Sequence, residues 1–239
     1  MTPLPRHCVV VGPGRMGSAL AAALRATGLE LTGPLGRGQP CPLQADCVLL
    51  CVPDAEIANA ASAIAPGPLV GHVSGATTLA ALSGHEAFSL HPLMTVPAAF
   101  AGAGAAVAGT TPRALETARA LAEALAMQPF EIDDEDRAAY HAAASMASNF
   151  LVTLEAAAER VLATAGADRE VLVPLVRAAV DNWAELGPER ALTGPIARGD
   201  AATVARQREA LLERAPDLLP LFDALADATR ALARTGAPA

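Results

Sequence analysis

Residues 8–17 read CVVVGPGRMG, a short apolar run that leads into the pattern Gly-x-Gly-x-x-Gly. The apolar run predicts a buried β-strand, and the Ala- and Leu-rich residues after it predict a helix over Arg15–Ala26. Alternating short apolar runs and helical stretches continue beyond it. The runs are Leu29–Leu35, Cys47–Val52, Leu69–Val73, Phe88–Leu90, Ala105–Ala108 and Pro129–Ile132, with helices over Ala55–Ile64 and Arg113–Ala126. Strands that alternate with helices predict parallel strands in an open α/β sheet.

Each glycine of the pattern has a distinct expected task. Gly12 allows a tight turn, Gly14 lets the backbone approach a pyrophosphate, and Gly17 lets the helix pack close to the strand. Arg15 and Met16 begin the helix, whose N-terminal N–H groups attract phosphate. The alternative is a Gly-rich turn that no longer holds a nucleotide. We expect a dinucleotide-binding turn.

The end of the second predicted strand bears on which dinucleotide would bind. NAD sites place an acidic residue there to hold the ribose 2′-hydroxyl. No acid occurs between Glu30 and Asp46, and Glu30 falls at the start of the strand. Arg37 lies where a guanidinium could bind a 2′-phosphate in a bidentate manner; the alternative is a solvated loop arginine. The pattern favours NADP.

Polar and turn-forming residues follow three later strands. Ligands in open α/β sheets bind outside the carboxyl ends of the strands. Val52 and Pro53 end one strand, and Pro53 would shape the loop beneath the nicotinamide ribose. Ser74 and Gly75 follow the next strand, where Ser74 could donate its hydroxyl. His91 ends the third, where it is either a second catalytic candidate or a histidine that anchors a loop.

The sequence changes character after Asp133, where Gly and Pro become rarer. Long Ala-, Leu-, Arg- and Glu-rich stretches predict helices over 136–165, 171–185, 201–214 and 218–234. Asp168 and Asp200 are plausible N-caps. We therefore predict two domains, residues 1–132 and residues 133–239, the second of them all-helical.

Composition and charge exclude several classes of function. The net charge is −8, and all 17 basic residues are arginines. No basic face is available to neutralise a nucleic-acid backbone. The absence of lysine removes mechanisms that need a Schiff base, a P-loop lysine or a lysine general acid.

Cysteine usage and hydropathy indicate a cytoplasmic protein. The four cysteines, Cys8, Cys41, Cys47 and Cys51, lack Cys-x-x-Cys spacing, so buried reduced thiols are expected rather than disulfides or zinc. The first seven residues contain two prolines and no apolar h-region, which argues against a signal peptide. No long apolar run is free of Pro and charge, so no membrane span is expected.

Several stretches together resemble the 6-phosphogluconate-dehydrogenase-like superfamily. They include residues 12–17, 51–54 (CVPD), 72–76 (HVSGA) and 89–93 (SLHPL). Residues 140–144 (YHAAA), 148–150 (SNF) and 191–200 (ALTGPIARGD) resemble the Rossmann-like proteins whose C-terminal helical domain is called DUF2520. The resemblance covers nearly the whole chain. It implies an α/β Rossmann domain followed by an all-α, 6-phosphogluconate-dehydrogenase-like helical domain, and a homodimer that forms through those helices.

The first long helix after the boundary carries the main catalytic candidates. In related dehydrogenases a lysine and an asparagine on this helix polarise the substrate carbonyl, whereas this sequence offers His141, Ser145, Ser148 and Asn149. Their spacing of +4, +7 and +8 places them on one helical face. His141 is the predicted proton donor, since its ordinary pKa lies near ~6.5; the alternative is a structural histidine. Asn149 and Ser145 would stabilise charge on the reacting heteroatom.

The remaining polar candidates have weaker signals. Tyr140 points about 100° away from His141 on an α-helix, which indicates packing. Thr193 and Arg198 could bind a substrate carboxylate, or they could shape a helix-capping loop. The other histidines show no ligand spacing with Asp or Glu, so no metal site is predicted.

These features favour an NADP-dependent reductase that transfers hydride to a small oxo or imino compound. The substrate is expected to be a small molecule that bears a carboxylate. Ketopantoate, a 2-oxo acid, is the most concrete candidate, because some members of the resembled family are similar to an alternative type of ketopantoate reductase. The alternative is a non-catalytic NADP-binding sensor or assembly protein, for which the absence of lysine is an argument.

Overall fold

The computed structural model describes residues 4–96 and 99–235 of the 239-residue chain. The chain divides into two compact units, Met1–Ser148 and Asn149–Ala239. This division lies after residue 148, whereas the change in sequence character suggests one after residue 132. Residues 133–148 belong to the first unit because Arg137 is buried there and donates to Ser89 of the sheet.

The described residues form one seven-stranded sheet in the first unit. Its strands are His7–Val11 (β1), Glu30–Leu35 (β2), Cys47–Leu50 (β3), Leu69–His72 (β4), Ala87–Leu93 (β5), Gly104–Gly109 (β6) and Gln128–Glu131 (β7). The order is β2-β1-β3-β4-β5-β6-β7. The prediction of an α/β unit followed by a helical part is confirmed.

The last two strands run against the direction of the first five. Strands β1–β5 are mutually parallel, but β6 pairs with β5 in an antiparallel manner, and β7 is parallel to β6. The expectation of an all-parallel sheet is therefore wrong at this edge. A parallel pair needs a crossover connection, usually a helix, and the described residues between β5 and β6 form none.

Helices cover most of the remaining described chain. They are Arg15–Ala26 (α1), Ile57–Ser62 (α2), Pro112–Ala124 (α3), Arg137–Ser145 (α4), Leu151–Ala163 (α5), Val173–Leu186 (α6), Pro188–Ala191 (α7), Ala201–Arg214 (α8) and Leu219–Thr235 (α9). Short 3₁₀ turns occupy Asp54–Glu56, Leu79–Leu82, Arg169–Val171 and Pro216–Leu218.

Side-chain caps account for some helix starts and not others. Asp200 accepts a hydrogen bond from the Thr203 N–H, so it caps α8 as predicted. Asp168 makes no capping hydrogen bond with its side chain in the described structure, and it precedes only a 3₁₀ turn. Thr111 caps α3, an N-cap that accepts from the Ala114 N–H.

The helix predicted over 136–165 is not regular. A π-helical turn, Met146–Phe150, separates α4 from α5. A π turn bonds each residue to the fifth along rather than the fourth, so the α-helical spacing ends at Ser145. The α-helical spacing that places Ser148 and Asn149 on the His141 face therefore applies only as far as Ser145, and their shared face stays a prediction.

The core of the first unit lies on both faces of the sheet. Successive strand residues point to opposite faces, so Val10 belongs to one apolar cluster with Leu20 and Leu24 of α1. Val9 belongs to the other cluster with Ile57 of α2. Because both faces are covered, β1 reads as a continuous apolar run.

Candidate functional site

The Gly-rich turn between β1 and α1 has the backbone shape that its sequence predicts. Gly12 has φ +107°, and a Cβ there would lie 2.4 Å from the Cys51 carbonyl oxygen. A Cβ on Gly17 would lie 2.0 Å from the Gly12 carbonyl oxygen. A Cβ on Gly14 would have no described atom within 4 Å. The turn is therefore tight at Gly12 and Gly17 and open at Gly14.

A cavity of about 410 Å³ lies beside this turn. Its lining residues are Gly14, Arg15, Met16, Cys51, Val52, Pro53 and Val96. They come from the N-terminus of α1, the loop after β3 and the segment after β5. Five predicted cofactor-binding residues thus share one cavity wall, which lies at the carboxyl edge of the parallel strands.

Arg37 lies just beyond the carboxyl end of β2 and is largely exposed. Its Nη2 atom is 3.6 Å from Glu56 Oε2, a surface pair that adds little stability. Glu30 lies at the opposite end of β2, where it is in register with His7. The end of β2 near the Gly-rich turn therefore carries a guanidinium and no carboxylate of its own.

A hydrogen-bonded turn connects the ends of β3 and β4. Ser74 Oγ donates to Asp54 Oδ2 over 2.8 Å and accepts from the Thr77 N–H over 3.0 Å. It also accepts from the Ala76 N–H over 3.2 Å. The Ser74 hydroxyl thus joins the loop that follows Pro53 to the loop that contains Gly75. Its hydrogen atom is already engaged by the Asp54 carboxylate.

Gly75 lies directly against two imidazole rings. A Cβ at this position would be 2.8 Å from His91 Cε1 and 2.9 Å from His141 Cδ2. The two rings approach each other edge to face, with centroids 6.2 Å apart. The missing side chain of Gly75 makes room for both rings, so the structure brings His91 of β5 and His141 of α4 together.

Tyr140 is the third aromatic member of this cluster. Its hydroxyl is 2.6 Å from His91 Nδ1, and the two rings meet at 86°. Phe130 packs against the other side of Tyr140, with centroids 5.9 Å apart. Tyr140 was expected to pack, and it does, but its hydroxyl also has a hydrogen-bond partner that the sequence did not indicate. The His91 ring lies where both Tyr140 and its neighbour His141 reach it.

A buried arginine lies beneath the cluster. Arg137 is 1% exposed, and its Nε donates to Asp134 Oδ1 over 2.5 Å. Its Nη2 donates to Ser89 Oγ over 2.5 Å. Burying a charge is costly unless the charge is paired and hydrogen-bonded. The pair with Asp134 therefore places a fixed positive charge below the aromatic residues.

The surroundings of the cluster shift the pKa values of His91 and Tyr140. Burial, reinforced by the electrostatic interactions with His141 and Arg137 and opposed by Asp54, lowers the pKa of His91 to about 4. Burial raises the pKa of Tyr140 to about 12, although Arg137 acts in the opposite direction. At neutral pH the His91 ring and the Tyr140 phenol are both uncharged.

Family comparison identifies the chain from β6 to α9. The profile of the family described as a domain of unknown function (DUF2520) matches residues 104–229, more than half of the 239 residues. The chain belongs to this DUF2520 family. No curated protein matches its sequence.

Solved structures with the same fold cover nearly the whole DUF2520 chain. BF3122 from Bacteroides fragilis, provisionally described as an NADP oxidoreductase, is 20% identical with a TM-score of 0.79, over 95% of this chain and 98% of that one. TM1727 from Thermotoga maritima is 23% identical with a TM-score of 0.78 over the same shares. The reductive aminase from Aspergillus terreus in complex with NADPH is 17% identical with a TM-score of 0.68, over 96% and 95%. These likenesses establish the Rossmann-like fold with its helical C-terminal part.

The other predicted site residues of the DUF2520 chain are divided between the two units. Ser145 ends α4 in the first unit, whereas Asn149 begins the second unit within the π turn. Thr193 and Arg198 are exposed residues of the second unit, in the segment between α7 and α8. The role of each in binding or catalysis stays a prediction.

Three residues of the site were missed as functional candidates. Tyr140 is the only tyrosine in the sequence and adjoins His141. Arg137 lies one helical turn before Tyr140. Asp54 follows Pro53 and holds Ser74. The spacing of Arg137 and Tyr140 could have indicated a shared face. Nothing local to α4 indicates that His91 lies opposite.

Within residues 4–96 and 99–235, no group of three or more His, Cys, Asp or Glu side chains is placed to hold a metal ion. Over the same residues, no helix has the length and apolar character that crossing a membrane requires.

Proposed function

We propose that this DUF2520 protein is an NADP-dependent oxidoreductase that reduces a small oxo or imino compound. One observation carries the proposal, namely the continuous connection from the cavity at Pro53 to the imidazole cluster. Asp54 follows Pro53 and accepts from Ser74, and the adjacent Gly75 contacts His91. A nucleotide cavity and a group of polar, titratable side chains thus occupy the same edge of the sheet, where α/β folds bind ligands.

The glycines of the turn fit a dinucleotide. The open position at Gly14 and the N-terminus of α1, with Arg15 and Met16, would accept the pyrophosphate. Val52 and Pro53 would lie against the remainder of the cofactor, and Arg37 would bind the 2′-phosphate. When bound, reduced NADP supplies the hydride. The NADPH complex of the Aspergillus terreus reductive aminase supports NADP on the same fold.

The substrate is proposed to be a small compound with a C=O or C=N bond and a carboxylate. Arg198 offers the guanidinium for the carboxylate, and Thr193, five residues before it, a hydroxyl. Among oxo acids, ketopantoate is the most concrete candidate. In this proposal His141, Ser145 and Asn149 contribute hydrogen bonds to the reacting heteroatom, and His91 belongs to the same polar group.

We further propose that the helical unit forms a homodimer. Helices α5 and α6 are largely apolar, yet neither buries a residue within the described chain. Val152, Leu175 and Trp183 are each more than half exposed. Apolar surface of this extent is typical of an interface. Light scattering after size exclusion would show a dimer for the wild type, and Trp183→Glu should shift it toward monomer; a monomeric wild type would refute this part.

The first experiment is a fluorescence titration of the purified protein with NADPH and NADH. Tight NADPH binding and much weaker NADH binding would support the cofactor assignment. A screen of 2-oxo acids and cyclic imines for NADPH oxidation would follow, with ketopantoate first. Failure to bind either nucleotide would overturn the proposal. Binding without turnover on any compound would instead favour a sensor, and a cytoplasmic location stays a prediction in either case.

A double variant tests the proposed substrate contacts. His141→Ala with Asn149→Ala should abolish turnover while NADPH still binds. Unchanged turnover in this variant would exclude both residues from the reaction.

A further inference from the structure

The shortest contact in the imidazole cluster joins His91 to Tyr140, at 2.6 Å. Packing holds both partners in place. Phe130 packs edge-on against Tyr140, and Gly75 leaves space for His91 that a Cβ would fill. Tyr140 is only half-buried, so the residue keeps some accessible surface. The hydroxyl is therefore a positioned group with a fixed hydrogen-bond partner.

We propose that Tyr140 is the catalytic proton donor for a C=O substrate, and that His91 positions its hydroxyl by donating a hydrogen bond from Nδ1. This inference rests on the proposed reductase function. It assigns to Tyr140 the proton that sequence reasoning gave to His141.

His91 cannot itself supply the proton at neutral pH. Its pKa is lowered to about 4 by burial and by electrostatic interaction with His141 and Arg137, with Asp54 opposing. A neutral imidazole carries one N–H, and on Nδ1 this N–H would point at the Tyr140 oxygen. The Tyr140 hydroxyl hydrogen is then free to point toward the substrate.

Arg137 supports the same assignment through its charge. It lies one turn before Tyr140 on α4, and Asp134 and Ser89 fix its guanidinium. Its positive charge disfavours a protonated His91 and favours the phenolate that Tyr140 forms on losing its proton. A chain without lysine thus still offers a fixed cation near the reacting group.

The proposed step balances in atoms and electrons. The hydride forms the new C–H bond, with its electron pair supplied by the cofactor of the proposed function, and the C=O π electrons move to oxygen. The Tyr140 O–H bond breaks, its proton bonds to that oxygen, and its electron pair remains on the phenolate. The His91 Nδ1–H donates to the phenolate until water restores the proton. An alkoxide is more basic than a phenolate, so the transfer is downhill even though burial raises the pKa of Tyr140.

The first test reads the hydrogen bond directly by NMR. The protein has one tyrosine and five histidines, so ¹³C at the hydroxyl-bearing carbon of tyrosine gives a single signal. With ¹⁵N-labelled histidine, His91→Phe assigns the His91 nitrogens. We expect neutral Tyr140 and a His91 ring protonated at Nδ1, with and without NADPH. A His91 ring protonated only at Nε2 would overturn the proposal, because the Tyr140 hydrogen would then be donated to His91.

The second test uses the substrate that the NADPH-oxidation screen identifies. Tyr140→Phe should lower kcat by about 10²–10⁴-fold, as expected for loss of a general acid, while NADPH affinity and KM stay unchanged. His85→Gln is the matched control for His91→Phe, because His85 bonds to the Ala61 carbonyl away from the cluster. Full turnover in Tyr140→Phe would overturn the proposal. Failure of the wild type to bind NADPH would overturn the reductase function instead, and the NMR result would still decide the state of the His91–Tyr140 pair.

Discussion

Replacing Gly17 by alanine tests whether the turn between β1 and α1 depends on close backbone contact. The new methyl would lie 2.0 Å from the Gly12 carbonyl oxygen and 3.0 Å from Cys51 Cβ, whereas ordinary contacts begin at 3.4 Å. The first obstacle is backbone, so the turn must move by more than an ångström. Overpacking of this kind costs about 1–3 kcal/mol, partly offset by the ~0.5–1 kcal/mol that alanine gains over glycine in a helix. We expect a net loss of about 1–2 kcal/mol in the free energy of unfolding of the first unit, and weaker NADPH binding.

Gly14→Ala is the matched control, since its methyl would meet no described atom within 4 Å and its φ of −68° suits alanine. Replacing glycine by alanine at this N-cap should lower the free energy of unfolding by less than about 1 kcal/mol. The methyl would nevertheless occupy the space that a pyrophosphate needs, so NADPH binding should weaken. Urea unfolding followed by circular dichroism, with NADPH titrations, measures both effects. The reasoning fails if Gly17→Ala is as stable as the wild type, or if Gly14→Ala binds NADPH normally.

Three further outcomes are expected. Arg37→Ala should weaken NADPH binding far more than NADH binding in paired titrations, because only NADPH carries the 2′-phosphate; equal losses would refute that contact. Gly75→Ala should displace His91 and His141 and lower turnover with little change in NADPH affinity, and unshifted histidine NMR signals would contradict the packing. Burial lowers the pKa of His72 to about 4, so the unfolded chain binds a proton there between about pH 6.5 and 4 that the folded chain does not. The contribution of His72 should therefore lower the free energy of unfolding by about 3 kcal/mol as the pH drops through this range. The decrease should be smaller in His72→Gln, and the same dependence of stability on pH in that variant and in the wild type would count against the shift.

Sequence alone predicts much of the secondary structure because local signals are strong. Helix α1 and helix α8 have the bounds expected from sequence, Arg15–Ala26 and Ala201–Arg214. Gly14 begins one of them, and the Asp200 side chain caps the other. The conformation of the Gly-rich turn was equally predictable, because only glycine accepts φ +107° without strain.

The direction of β6 at the edge of the sheet, and the π turn after α4, depend on more than the local sequence pattern. The direction of β6 goes with a connection whose described residues form no crossover helix, which a strand pattern does not reveal. The π turn at Met146–Phe150 likewise leaves the apolar pattern intact, so the sequence gives no sign that the α-helical spacing ends at Ser145.

The amino-acid sequence by itself determined the α/β unit, the helical unit and the Gly-rich turn, since neighbouring residues encode each of them. The candidate proton-transfer group was decided only by the tertiary structure. His91 meets Tyr140 across 49 residues, and Arg137 meets Ser89 across 48. These contacts arise where side chains of α4 reach β5, and the buried charge of Arg137 must be paired. Pairing at such separations leaves no periodic signal in either segment.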